Sequence, residues 1–167
     1  MKKDVLIYFD LITSLKTTQE ADNLSLEIDT IASKLFQSEK VSLEKALTSI
    51  SSNSAERITE IFQKNNLDMT DKEDVRDFLD TLADLIKKFK VIKLILAFDP
   101  TKEMIENIHE AVSENIGVGY ILDVEIDESV LAGAIIVFKG KYKDFTLRRT
   151  LEEIFANKNG EILKLIQ

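Results

Sequence analysis

Residues 126–151, IDESVLAGAIIVFKGKYKDFTLRRTL, decide the fold of this chain because they combine strand, turn and helix-start signals. The apolar run Ala134–Phe138 lacks polar alternation, which is typical of a strand buried on both faces. Gly133, before this run, indicates a backbone that bends or approaches a neighbour closely. The Lys-Gly-Lys sequence after the run predicts a turn, and Asp144 or Thr146 can cap a following helix. The stretch therefore predicts two adjacent strands and a helix, without any pattern typical of catalysis.

The sequence upstream of this stretch predicts further strands with a helix between them. Residues 91–98 are apolar and rich in β-branched side chains, and they end at Asp99-Pro100. They predict a strand, with one more turn of the preceding helix as the alternative. Thr101 is a suitable N-cap for the next helix, and Gly117 follows the last apolar turn of that helix. Residues 120–126 alternate between apolar and polar side chains, which predicts a half-exposed strand.

Helical spacing of apolar residues dominates the chain up to about residue 90. Ser42 and Ser54 are expected to cap two of the shorter helices. Thr70 and Glu73 form a capping-box pattern at the start of the clearest helix. The apolar face of that helix consists of Val75, Phe78, Leu79, Leu82, Leu85, Ile86 and Phe89.

These patterns predict an α+β protein, with an N-terminal all-α helical bundle followed by a small α/β C-terminal domain. We expect the bundle over residues 1–70, a connecting helix over 71–90 and the α/β domain over 91–167. Each part is small, and a unit of about 60–80 residues buries little core when it folds alone.

Composition narrows the range of functions. The 167 residues include 22 basic and 30 acidic side chains, for a net charge of −8, so a nucleic-acid partner is not expected. The lack of cysteine removes disulfides, thiolate nucleophiles and cysteine-ligated zinc together. The N-terminal stretch is interrupted by Asp4 and Asp10 and shows no signal-peptide cleavage pattern. No window has the roughly 20 uninterrupted apolar residues of a membrane-spanning helix. We therefore expect a cytoplasmic protein with no direct membrane insertion.

Few residues in the sequence can carry chemistry. His109 is the only histidine, and we interpret it as a surface or boundary residue of a helix, because a general base usually needs a partner. Asp123, Glu125 and Asp127 lie on one face of a predicted strand and could bind Ca²⁺ or Mg²⁺ in a small metal-dependent enzyme. A solvated strand face is the favoured explanation of these carboxylates. We therefore expect no catalytic residue, no cofactor, no metal and no enzymatic activity.

The stretch at 126–151 also resembles the C-terminal signature of the F-type ATP synthase delta subunit family, called the oligomycin-sensitivity-conferring protein in mitochondria. That signature consists of an acidic turn, two glycines, an apolar strand, a short turn and Asp-x-Ser-aliphatic-basic-x-x-Leu. Ala132 stands where the family often has the first glycine, and a threonine replaces the serine. The first 70 residues are similar only in being helical. The positions that correspond to the motif are Gly133, Asp144, Thr146 and Leu151, and Thr146 is the one that replaces the serine.

The resemblance implies a mechanical function, that of a peripheral-stalk or stator subunit of a proton- or ion-translocating F-type ATP synthase. It implies that the helical domain binds N-terminal segments of the alpha subunits and that the C-terminal domain binds the C-terminus of the b subunit. Such a chain is peripheral on the inner face of the cell membrane, as part of a complex. The alternatives are a helical adaptor unrelated to ATP synthase and an E-type stator subunit of a vacuolar or archaeal ATPase. Short capped helices, in place of a long N-terminal coiled coil, favour the delta family over the E-type subunit.

Two sets of apolar residues are candidates for the partner surfaces that the resemblance implies. The first set could form a groove for an amphipathic partner helix, with packing in the protein core as the alternative; it consists of Val5, Phe9, Ile12, Val75, Leu79 and Ile86. The second set, on the final helix and tail, is the candidate stalk contact; it consists of Leu151, Phe155, Ile162, Leu163 and Ile166.

Overall fold

Two compact units divide the chain between Phe89 and Lys90 in the computed structural model, which describes residues 5–37, 41–152 and 154. The first unit is α-helical, and the second combines helices with a four-stranded sheet. The protein is therefore α+β, as predicted. Within the described ranges, no helix combines the length and the apolar character that crossing a bilayer requires.

The described part of the first unit consists of short and medium helices. They are a 3₁₀ helix Val5–Tyr8, α1 Phe9–Thr13, α2 Thr18–Gln37, α3 Leu43–Leu47, α4 Ser52–Lys64 and α5 Lys72–Ile86. The sequence assigns α5 a connecting role. In the structure α5 belongs to the first unit and buries its apolar face there.

Aromatic side chains lie at the centre of the core of the first unit. The Phe78 side chain of α5 is fully buried, and its ring centroid lies 5.0 Å from that of Tyr8 and 4.8 Å from that of Phe62. Burying one such side chain stabilises the fold by about 1.5–3 kcal/mol. Helix α2 packs against α3 and α5. Its buried residues recur at the helical spacing that the sequence predicts; they are Leu24, Ile28, Ile31 and Leu35.

The N-terminal caps of two helices differ from the sequence prediction. Ser51, rather than Ser54, caps α4, and its hydroxyl oxygen accepts a hydrogen bond from the Ser54 backbone N–H at 3.3 Å. Asp71, rather than Thr70, caps α5 and accepts from the Glu73 N–H at 2.8 Å. Both predictions were wrong by one position or one turn because a cap needs an extended backbone, and Ser51 and Asp71 are the residues that have it.

The second unit is built on a sheet with the strand order β2-β1-β3-β4. Strand β1 runs parallel to β2, with Ile92 opposite Leu122, and antiparallel to β3, with Leu94 opposite Ile136. The prediction of a strand after residue 90 is confirmed over that of a continued helix. The elements are β1 Lys90–Leu96, α6 Lys102–Asn115, β2 Tyr120–Ile126, β3 Ala134–Phe138 and β4 Lys141–Asp144, and residues 147–152 and 154 are helical (α7).

Helix α6 connects the two parallel strands and packs on one face of the sheet. The Thr101 hydroxyl accepts from the Met104 N–H at 3.2 Å, which confirms the predicted cap. The buried cluster beneath the helix consists of Ile92, Tyr120 and Leu122, and the partly buried residues packed against it are Ile105, Ile108, Val112, Val124, Ile136 and Phe138.

Strand β2 is less regular than its sequence predicts. Ile121 is buried together with its neighbours Tyr120 and Leu122, so the start of the strand is covered on both faces. Ile126, at its end, is 48% exposed. Polar alternation predicted one buried face along the whole strand, whereas burial here decreases from the first residue to the last.

Candidate interaction surfaces

A backbone clasp joins the start of β3 to the start of α7. The Phe145 N–H donates to the Ala134 carbonyl at 2.9 Å, and the Leu147 N–H donates to the Ala132 carbonyl at 3.0 Å. Gly133 lies between these bonds at a φ of +91°, and a Cβ atom built there would be 2.3 Å from the Phe145 carbonyl oxygen. The close approach predicted at Gly133 is present, and it leaves no room for a side chain.

Asp144 and Thr146 complete this clasp. The Asp144 Oδ1 atom accepts from the Thr146 N–H at 2.8 Å, and Thr146 is only 4% exposed. Hydrogen bonds from the Thr146 hydroxyl and N–H lower the pKa of Asp144 below its ordinary value, and the nearby charges of Arg149 and Arg148 act in the same direction. The carboxylate therefore orients the chain as it enters α7.

An apolar stripe on α7 faces solvent. We call Leu147, Leu151 and Ile154 the α7 stripe, since they recur at helical spacing and are exposed by 47%, 37% and 44%. Leu151 is the one predicted stalk-contact residue that falls in the described part of the chain. The other four lie outside the described residues; they are Phe155, Ile162, Leu163 and Ile166.

Two exposed aromatic residues beside the clasp were missed by the sequence analysis. Tyr142 and Phe145 are each 60% exposed. Tyr142 belongs to β4, which pairs only with β3 among the described strands. A strand at a sheet edge followed by a loop leaves its large side chains uncovered. The sequence signal that could have predicted their exposure is the turn after β3, which places β4 at the edge of the sheet.

The structure separates the first candidate groove into buried and accessible residues. Phe9 is 54% exposed and Ile12 is half-buried, so both are accessible on the first unit. Val5 lies in the 3₁₀ helix. The three α5 residues are core residues, exposed by only 2–7%, so they cannot line a groove open to solvent; they are Val75, Leu79 and Ile86. Their periodicity reflects packing inside the unit, the alternative that the sequence left open.

His109 has a structural role on the inner side of α6. Its Nε2 atom lies 3.0 Å from the Tyr120 carbonyl oxygen, and its side chain is half-buried. The same residue's backbone carbonyl accepts from the Ser113 hydroxyl at 2.9 Å. The imidazole thus ties helix α6 to strand β2 at the strand's first residue, as a boundary residue does.

Acidic residues in β2 and directly after it are used in local structure. The Glu125 carboxylate lies 2.5 Å from the Lys93 ammonium group, and this contact raises the pKa of Lys93. Asp127 Oδ1 accepts from the Ser129 N–H at 2.9 Å, and hydrogen bonds from Ser129 lower the pKa of Asp127. Within the described ranges, no group of three or more His, Cys, Asp or Glu side chains is placed to hold a metal ion. The aligned carboxylates therefore do not converge on one point.

A shallow depression of about 400 Å³ lies beside α3 and α4. Glu44 is the one charged residue that lines it, and the apolar lining comes from Leu47, Ile50, Ala55 and Met69. Its other lining residues are Thr48, Ser52, Thr59 and Gln63, so neither histidine nor cysteine lines the depression. The arrangement suits packing or protein contact.

Comparison with known proteins identifies the family of the chain. The family of the ATP synthase delta (OSCP) subunit matches residues 14–157. No curated protein sequence matches the chain. A chain in the cryo-EM structure of the Polytomella F-ATP synthase, primary rotary state 3, is similar at a TM-score of 0.40 and 20% identity, over 46% of this chain and 99% of that chain. The assignment rests on the family match alone, which spans both units. The chain belongs to the ATP synthase delta (OSCP) subunit family, and it is a peripheral-stalk subunit of an F-type ATP synthase.

Proposed function

We propose that the chain links the catalytic head of the synthase to its stalk, with one partner on each unit. The first unit binds N-terminal segments of the alpha subunits, and the second binds the C-terminus of the b subunit. The observation that carries the proposal is that each unit has its own exposed apolar side chains. Phe9 is exposed on the first unit, and the α7 stripe is exposed on the second. Two separate surfaces suit a bracket between two partners.

The alpha-subunit contact centres on Phe9 and Ile12, with the helices of the first unit arranged as a bundle that supports them. These two residues lie three apart, on one side of the first turns of the unit. An apolar pair of this kind accepts the apolar face of an amphipathic helix. The aromatic core under α1, formed around Phe78, keeps the pair in place because Tyr8 precedes Phe9 directly.

The b-subunit contact lies along the α7 stripe. Three apolar residues on one face of a helix are the pattern that a partner helix packs against. The clasp fixes the start of α7 to β3, so the stripe has a defined position on the second unit.

The chain acts by holding its partners and is not itself an enzyme. The groups that could carry chemistry are engaged in structure: His109 binds the Tyr120 carbonyl, and Asp144 binds the Thr146 N–H. Its place on the inner face of the cell membrane comes from the complex to which it belongs.

The test measures binding of the full-length chain to each partner separately. One titration uses the alpha subunit with its N-terminal segment, and the other uses the C-terminal half of the b subunit of the same synthase. Phe9→Glu should weaken alpha binding by about tenfold or more and leave b binding unchanged, because it places a charge in an apolar contact. Leu147→Glu with Leu151→Glu should do the reverse.

Controls separate this result from loss of folding. Leu26→Glu changes another exposed leucine, 65% exposed on α2, and should leave both titrations unchanged. An alpha subunit without its N-terminal segment should not bind the wild-type chain. The proposal fails if each substitution weakens both contacts equally, or if neither partner binds the wild-type chain.

A further inference from the structure

A concentrated positive charge distinguishes the region around β4 from the rest of this acidic chain. Between residues 139 and 149 the sequence has five basic residues and one acidic residue, against 22 and 30 for the whole chain. We call these five the basic edge; they are Lys139, Lys141, Lys143, Arg148 and Arg149. All five are exposed. Such a local reversal of charge needs a reason beyond solubility, which the net charge of −8 already provides.

The lysines of the basic edge have no acidic partner in the part of the chain that the structure describes. Lys141 and Lys143 lie opposite Phe138 and Ile136 of β3, and two residues apart on a strand they share one face. The Lys139 ammonium group lies 5.0 Å from the centre of the Phe138 ring. Among the described residues, no carboxylate lies within ion-pair distance of these three lysines. No described carboxylate therefore neutralises their charge.

The arginines of the basic edge are unfavourable for the helix that carries them. Arg148 and Arg149 lie in the first turn of α7, where the helix dipole favours acidic side chains. Asp144 offsets part of this cost, and the Arg149 guanidinium also donates to the Asp144 carbonyl at 3.3 Å. The unfavourable interaction of the two arginines with the helix dipole is thus only partly offset by the contacts with Asp144.

The basic edge adjoins the α7 stripe in the chain, since Arg148 follows Leu147 directly. We infer that the two together form one docking surface for an amphipathic partner helix whose apolar face is flanked by acidic residues. This inference rests on the stalk contact proposed above, and it specifies the chemistry of the b-subunit segment that binds there. The apolar stripe supplies burial, and the basic edge supplies orientation and faster association.

The charge distribution favours a short acidic helix over an anionic membrane or a nucleic acid. Charges act over about 8 Å at physiological ionic strength. Arg148 and Arg149 follow Leu147 directly in the chain, within reach of a short helix docked at the start of α7, and Glu152 follows about one turn later. An extended polyanion or a bilayer is also subject to the net charge of −8 of the whole chain, which repels it.

The test reverses charges on the basic edge of the full-length chain and titrates the C-terminal half of the b subunit at low and high salt. The double variant Lys141→Glu/Lys143→Glu should bind about tenfold or more weakly at low salt, and the difference should shrink at high salt. Arg148→Glu is a second variant, chosen so that weaker binding can be distinguished from loss of folding. It improves the charge relative to the helix dipole and removes a charge that favours the Asp144 carboxylate, so thermal stability should change little while binding weakens.

The matched control is Lys45→Glu/Lys102→Glu, which changes the net charge equally at exposed positions outside the basic edge. This control should bind like the wild-type chain. Equal affinity of all variants would overturn the inference and assign the edge lysines to the prevention of strand pairing alone. A loss confined to binding of phosphatidylglycerol vesicles would overturn it in favour of a membrane. If the wild-type chain does not bind the b segment at any salt concentration, the stalk contact itself is wrong.

Discussion

The α-carbon of Gly133 faces the Phe145 carbonyl so closely that a single added carbon atom would lie 2.3 Å from that oxygen. Both partners are backbone, and a hydrogen bond on each side of the contact fixes the two segments. Neither partner can move aside as a flexible side chain would. Among the four described glycines, Gly133 is the one where an added Cβ would meet another atom within 4 Å.

Gly133→Ala should therefore destabilise the second unit by about 3 kcal/mol or more, because it combines a steric clash with an unfavourable positive φ. The measurement is the urea midpoint of the full chain followed by circular dichroism. Gly140→Ala is the matched control, since Gly140 also has a positive φ, of +72°, but an added Cβ there meets nothing within 4 Å. It should cost roughly 1–2 kcal/mol from φ alone. Equal effects of the two substitutions would contradict the role of the clasp.

Asp144 should make the stability of the second unit depend on pH in the acid range. Its pKa is lowered in the folded state by the Thr146 hydrogen bonds, relative to an unfolded value of about 3.9. The contribution is present above the unfolded pKa and is lost as the pH falls through the folded pKa. Asp144→Asn should thus be less stable than wild type near pH 7, and the gap should close below about pH 4.

Thr146→Val tests how much of the lowered pKa of Asp144 comes from the Thr146 hydroxyl and how much from the Thr146 N–H. The variant keeps the N–H donor and loses the side-chain donor, so the acid-range dependence should become weaker without vanishing. Urea midpoints at several pH values measure both variants. A gap between Asp144→Asn and wild type that stays constant from pH 7 to pH 3 would show that the carboxylate does not stabilise the clasp.

The cap of α5 can be identified by substitution at two neighbouring positions. Asp71→Ala should cost about 1 kcal/mol, since the Asp71 carboxylate accepts from the Glu73 N–H. Thr70→Ala should cost less than about 0.5 kcal/mol, because the Thr70 hydroxyl binds the exposed Asp68 side chain and no helix N–H in the described structure. Thermal unfolding of both variants makes the comparison. A larger loss of stability in Thr70→Ala than in Asp71→Ala would show that Thr70 caps the helix, as the sequence predicts.

Phe78 should be the most sensitive position tested in the first unit. Phe78→Ala should cost about 3–5 kcal/mol, because the ring is fully buried and contacts two other aromatic rings. Phe9→Ala removes a ring of the same size that is 54% exposed, and it should change stability by no more than about 0.5 kcal/mol. Denaturant titration of both variants checks the difference. A large loss in Phe9→Ala would show that this ring belongs to the core, so it would not serve as a partner contact.

The sheet could be predicted from the sequence because its strands carry strong local signals. Ala134–Phe138 is apolar on both faces, and the structure places it between two other strands. Thr101 has the spacing of a cap, and its hydroxyl is bonded as one. Gly133 could be singled out because a close backbone approach requires glycine. Asp144 could be singled out because its carboxylate can accept a hydrogen bond from a backbone N–H at the start of a helix. At these positions the local signal and the tertiary contacts agree, unlike at Ser54 and Thr70.

The features that the sequence could not decide depend on contacts between distant residues. The periodicity of Val75 and Leu79 shows that one face of α5 must be covered, but it does not say whether a partner or the same unit covers it. Residues of the same unit cover it, with Phe62 and Tyr8 packed around the neighbouring Phe78. Thr70 and Asp71 are both good caps, and the backbone angle that decides between them depends on how the preceding turn packs.

The position at which α7 begins is set by backbone hydrogen bonds and by the absence of a side chain at Gly133. The exposed side chains of α7 therefore contribute little to the stability of the fold. Exchanging Leu147 or Ile154 for another residue would alter what the helix recognises long before it altered where the helix stands. In such a subunit the exposed residues of α7 can change during evolution together with the partner's sequence. The glycine that fixes the helix tolerates almost no substitution.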